Sequence, residues 1–149
     1  MIEAASLRNA ALGPAPIPPA WVRSGTPVAR AATLSTSSDG TAFTAVWDCS
    51  AGSFDWRFHG DETVHILEGE VVVTEAGAAP RRLQVGDVAL FHAGTTVHWE
   101  VPRYVRKLAF CRNRMPRSIL AAYRLLARLQ EGLGRLTGKR PPAGLSAST

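Results

Sequence analysis

The chain has 149 residues, 46% of them hydrophobic and 19% charged, which is enough to bury one sizeable core and favours a single domain. No apolar run approaches the roughly 20 residues that cross a bilayer as a helix, and no basic-then-apolar leader opens the chain. Two cysteines, Cys49 and Cys111, are too few for a disulfide framework, so the expected compartment is the cytoplasm, with both thiols packed as small apolar side chains.

The formal charge of +5 is uneven. Residues 112–140 hold eight basic residues against the single acid Glu131, a net +7, which leaves −2 for the rest. A mildly acidic body with a basic tail does not carry the charge expected of a nucleic-acid-binding core.

In chain order, residues 1–27 read as an extended arm, because Pro14, Pro16, Pro18 and Pro19 in GPAPIPPAW disfavour helix and central strand. Trp21 closes the arm and is expected to pin it onto the body or onto a second subunit. Residues 28–112 show short period-two apolar runs rich in Val, Thr, Phe and Trp. They are interrupted at Ser38-Asp39-Gly40, Ala51-Gly52-Ser53, Glu68-Gly69, Gly77 to Pro80, Gly86-Asp87 and Pro102-Arg103. This predicts antiparallel strands joined by turns, an all-β sandwich or small barrel. No glycine-rich dinucleotide turn, phosphate-loop lysine or fixed-period repeat is present.

Residues 113–138 predict a basic amphipathic helix. Arg117, Arg124, Arg128 and Arg135 fall within roughly 40° of one another on a helical wheel. Ile119, Leu125, Leu126, Leu129, Leu133 and Leu136 lie opposite. The tail 139–149 is expected to be disordered. The leucine face is expected to pack on the body or on a symmetry mate. The alternative is attachment to an anionic membrane surface through the arginine stripe. Nucleic acid is not an expected partner, since no aromatic residues interleave with the arginines.

Within residues 52–101, GSFDWRFHGDETVHILEGEVVVTEAGAAPRRLQVGDVALFHAGTTVHWEV, Glu62 stands seven residues before Gly69, and Gly86, His92 and Gly94 follow at set intervals. These spacings resemble the cupin superfamily. The ILEGEV and GD…F…AG segments resemble its ureidoglycine aminohydrolase cupin-domain group. The resemblance implies a single jelly-roll barrel over about two thirds of the chain. The fold it implies hosts many activities, so fold alone does not give function.

The resemblance also implies a metal site, in which manganese, iron or nickel is held by two histidines, a glutamate, and a further histidine or glutamine. Only Glu62 matches. The two histidine positions fall on Trp56 and Phe58 at the shorter family spacing, or on Asp55 and Arg57 at the longer, and the last falls on Val97. Indole, phenyl, guanidinium and isopropyl groups are not ordinary ligands for these metals. His98 lies one residue beyond the expected position, which on a strand turns it to the opposite face unless a bulge intervenes.

Without metal, the residues describe an aromatic-lined pocket containing Trp56, Phe58, Val64, Ile66, Val97, Trp99 and one carboxylate, Glu62. That carboxylate either pairs with a cation such as Arg57 or shifts its pKa upward. The competing expectation is that Glu62 faces solvent and the aromatics fill the barrel.

Three functional expectations follow. The first is a non-catalytic or weakly catalytic small-molecule-binding barrel with no cofactor. The second is a metal-dependent enzyme holding manganese, iron, nickel or zinc on an unorthodox site built from Glu62 with His98, His59 or Asp55. The third is a scaffold whose basic helix does the work. A homodimer is expected from the Trp21 arm and the leucine face.

Overall fold

The computed structural model describes residues 2–114 throughout, together with Pro116, Ser118, Ile119, Ala121, Ala122, Leu125, Leu126, Arg128 and Leu129. The β-branched and aromatic runs form eight strands: β1 (Gly13–Pro14), β2 (Val22–Gly25), β3 (Ala29–Thr36), β4 (Ala42–Arg57), β5 (Asp61–Glu75), β6 (Arg81–Gln84), β7 (Val88–Phe91) and β8 (Thr96–Arg112). Every pairing is antiparallel. The order is β1-β3-β4-β8-β5-β6, with β2 added to β4 and β7 to β5. The all-β expectation therefore holds.

Several expected turns are instead bends inside long strands. Ser38–Gly40 is a true turn, in which the Asp39 carboxylate accepts from Ser37 Oγ, Thr41 N and Thr41 Oγ1, holding its pKa down at about 2. Gly52, Gly69 and Pro102 lie within β4, β5 and β8, where the register shifts between Ser50 and Gly52 and between Gly69 and Val72. These bulges let strands of 15 to 17 residues fold over and serve both walls of the barrel. Pro102, which has no N–H to donate, falls in the stretch of β8 left unpaired at the bend.

The bends in β4 and β5 reset the inward parity, whereas β8 keeps one parity throughout. In β4 the core side chains are Trp47 and Cys49 before the bend, then Phe54 after it. In β5 they are Val64 and Ile66 before it, then Val71 and Val73. In β8 they are Val97, Trp99, Val101, Val105 and Ala109.

The amino-terminal segment lies against this barrel. Ile17 is buried, Trp21 ends a 3₁₀ turn at Pro19–Trp21, and Arg106 Nη2 donates to Leu7 O at 2.7 Å. The chain divides into two units after Arg114. Beyond it, the described residues from Ser118 to Leu129 have helical backbone. Arg117, Arg124 and Arg135 of the expected arginine face, and the expected tail, lie outside the described residues.

Gly69 has φ +69°, and a Cβ there would sit 2.0 Å from Tyr104 O. Gly69→Ala is expected to cost more than about 3 kcal/mol by combining backbone strain with a main-chain clash, read as a lowered urea midpoint.

Candidate functional site

One charged residue sits on the inward face of β8. Lys107 is in register with Trp47 of β4 and Ile66 of β5, and its side chain is 5% exposed. Its Nζ donates to Glu62 Oε1, and the Glu62 side chain is itself only 14% exposed. The ammonium lies 4.7 Å from the Trp99 ring centroid, 5.0 Å from Trp47 and 5.9 Å from Trp56. The partner of Glu62 is thus Lys107 rather than the anticipated Arg57. Arg57 is the last residue of β4, exposed and lining the same cavity as Trp56, rather than paired with Glu62.

The aromatic cluster extends from this cage. Trp21 meets Trp56 edge-on at 5.5 Å, and Trp47 meets both Trp56 and Trp99 in the same manner. All four tryptophans of the chain therefore belong to one assembly. Phe58 stacks on Phe91 at 4.6 Å, and Phe91 packs on Trp99.

Beside the cage, at the barrel mouth, is a cavity of about 210 Å³ lined by Trp21, Phe43, Trp56, Arg57, Phe58, His59, Gly60, Asp61, Glu62, Cys111, Arg112 and Asn113. Of the pocket residues expected from sequence, Trp56, Phe58 and Glu62 line it. Val64, Ile66, Val97 and Trp99 lie deeper, in the packed core. A larger, open hollow of about 580 Å³ adjoins it across Phe43, Asp61, Cys111 and Arg112, and runs out past Thr63, Leu90 and Phe110.

The candidate metal ligands do not converge. Asp55 accepts from Arg23 Nε at 2.6 Å and lies 2.7 Å from His98 Nδ1, on the face opposite Trp56 and Glu62. β8 carries no bulge at His98, whose register with Asp55 and Thr74 is regular. His59 lines the cavity mouth. Among the described residues no three His, Cys, Asp or Glu side chains form a metal-holding group. The donor chemistry at the family's ligand positions does not fit a divalent transition metal, and Lys107 already supplies Glu62 with a cation.

Burial pushes the Cys49 thiol up to about 12 and that of Cys111 up to about 11, so neither is poised as a nucleophile. The hydrogen bonds from His98 and Arg23 hold the Asp55 carboxyl below its ordinary value.

Lys107 and Trp47 were the members of the site that sequence reasoning missed. The available signal was a lone lysine on the alternating apolar face Val105, Lys107, Ala109.

The EutQ-like cupin domain family model matches residues 36–109. A solved structure from Pseudomonas syringae, a protein of unknown function in the DUF861 family, is 25% identical with a TM-score of 0.64. The match covers 70% of this chain, and the chain spans only 45% of that protein. A putative ethanolamine utilization protein Q from Salmonella typhimurium is 26% identical with a TM-score of 0.51, over 57% of this chain and 69% of that one. The Clostridium difficile EutQ protein, at 18% identity and a TM-score of 0.53, covers 59% of this chain and 70% of its own, and shares the fold. No curated protein matches the chain.

Two outcomes test the site's construction. Glu62→Ala strands a buried ammonium and is expected to cost about 3–5 kcal/mol in urea unfolding, whereas the double variant Glu62→Leu, Lys107→Met recovers most of that loss. Because the folded Asp55 value is depressed, its contribution is complete above the ordinary carboxylate value of 3.8 and is lost as pH falls below it. Acid is therefore expected to loosen the Trp21 arm in the wild type, seen as a tryptophan emission change on acidification, and that component is absent in Asp55→Asn.

Proposed function

We propose that the chain, whose residues 36–109 match the EutQ-like cupin domain model, is a cupin whose barrel binds a small organic ligand at its aromatic-lined cavity and serves as a sensing or accessory domain rather than as a metal-dependent catalyst. The observation that carries this reading is the cavity that Trp21, Trp56, Phe58 and Glu62 help to line. Apolar walls with a few placed polar groups are the usual make-up of a small-molecule site. The packed core beneath, with Trp99 and Ile66 buried, gives those walls a rigid backing.

The resemblance to the ureidoglycine aminohydrolase group supports a second reading, metal-assisted release of ammonia from a small nitrogenous substrate. That site would need Glu62 together with His98, His59 or Asp55, and the Asp55–His98 pair on the opposite face weighs against it. The exposed Val88, Leu90 and Phe110 support a homodimer.

In the ligand-binding reading, intrinsic tryptophan fluorescence responds to at least one member of a broad metabolite panel, and Trp56→Ala abolishes the response. A flat response across the panel sinks it. Stoichiometric manganese, iron, nickel or zinc in protein purified without chelator, lost on Glu62→Ala, favours the enzyme reading instead.

A further inference from the structure

The charges around the cavity decide which kind of molecule it takes. Two acids and two arginines line it: Asp61, Glu62, Arg57 and Arg112. Asp61 is already engaged, with Oδ2 3.7 Å from Arg112 Nη2 and Oδ1 accepting from Ala93 N at 3.0 Å. Glu62 is engaged by Lys107, which three indole faces hold in place. Neither carboxylate offers an uncompensated negative charge to an incoming amine or metal cation. Arg57 is exposed at the mouth and has no ion-pair partner among the described residues. The surplus charge of the cavity is therefore positive, and it stands beside the aromatic walls formed by Trp21 and Trp56.

We infer that the ligand is a small carboxylate with a flat apolar body, its anionic end on the Arg57 guanidinium and its body against Trp21 and Trp56. This rests on the pocket reading above and names its ligand class. Arginine presents a planar fork of donors that matches a carboxylate in two parallel hydrogen bonds, and flat apolar groups pack well on indole. Lys107 inverts what the retained Glu62 would select alone: without the ammonium behind it, that glutamate would make the cavity floor a cation site.

The test titrates the full chain with benzoate, benzamide and benzylamine, three probes of one shape and different charge, read by tryptophan fluorescence and calorimetry. Benzoate is expected to bind about tenfold tighter than benzamide, with benzylamine weakest. Arg57→Gln, a surface change that leaves the core intact, is expected to remove that roughly tenfold advantage while benzamide binding stays put. Lys107→Met, where it folds, is expected to shift the preference toward benzylamine. Benzamide or benzylamine binding as tightly as benzoate overturns the carboxylate assignment and leaves the pocket reading standing, as does a metabolite response confined to neutral or cationic compounds. Benzoate binding unaltered by Arg57→Gln overturns the assignment of Arg57. Silence toward these probes and the broad metabolite panel alike overturns the pocket reading and this inference with it.

Discussion

An ammonium group enclosed by a protein interior loses its hydration, and the loss amounts to several kcal/mol unless fixed partners replace the water. Lys107 has such partners in Glu62 and in the faces of Trp47, Trp56 and Trp99. A desolvated cation–π contact contributes about 2 kcal/mol, less than the several kcal/mol lost, so the cage combines three rings with the carboxylate. The requirement to surround one charge therefore fixes four side chains from three adjacent strands. The same requirement fixes the chemistry of the mouth, because Glu62 is turned to serve the lysine and has a cation on its inner side.

The cage exists only because the backbone breaks its own rhythm. Trp47 and Trp56 are nine residues apart on β4, and a regular strand would send them to opposite faces. The irregularity between Ser50 and Gly52 brings both inward. Gly52 is fitted closely at this bend, since a Cβ there would lie 2.8 Å from Pro27 Cδ. The amino-terminal segment thus takes part in the curvature that assembles the site, and it also contributes Trp21 to the cavity wall.

Much of this was legible in the residues. Period-two runs with β-branched and aromatic side chains marked the all-β class, and the spacing of Glu62 to Gly69 marked the barrel. The one-residue offset of His98 goes with its pairing to Asp55 rather than to Glu62. What could not be read was parity across a bend. Ala51-Gly52-Ser53 and Glu68-Gly69 have the composition of hairpin turns, and composition does not separate a reversal of the chain from a bulge inside a strand. Once strand continuity was lost at these points, Trp47 could not be counted onto the same face as Trp56. Lys107, a residue type that is almost never fully buried without a partner, passed as surface. Val64, Ile66, Val97 and Trp99 lie in the packed core rather than along the cavity, and inward depth along the barrel axis is a property of packing rather than of alternation.

The bend in β4 has an evolutionary consequence. The two spacings found among metal-binding barrels of this kind differ by one residue, and in this chain they would place either Trp56 and Phe58 or Asp55 and Arg57 in the interior. Here the irregularity between Ser50 and Gly52 puts Trp56 on the same face as Trp47. A single-residue deletion or insertion near Gly52 would exchange an apolar lining for a charged one without replacing any side chain downstream. A lineage could in this way pass between two kinds of barrel chemistry by an indel in the backbone, and point substitutions at the site itself would then refine a change that the frame of the strand had already made.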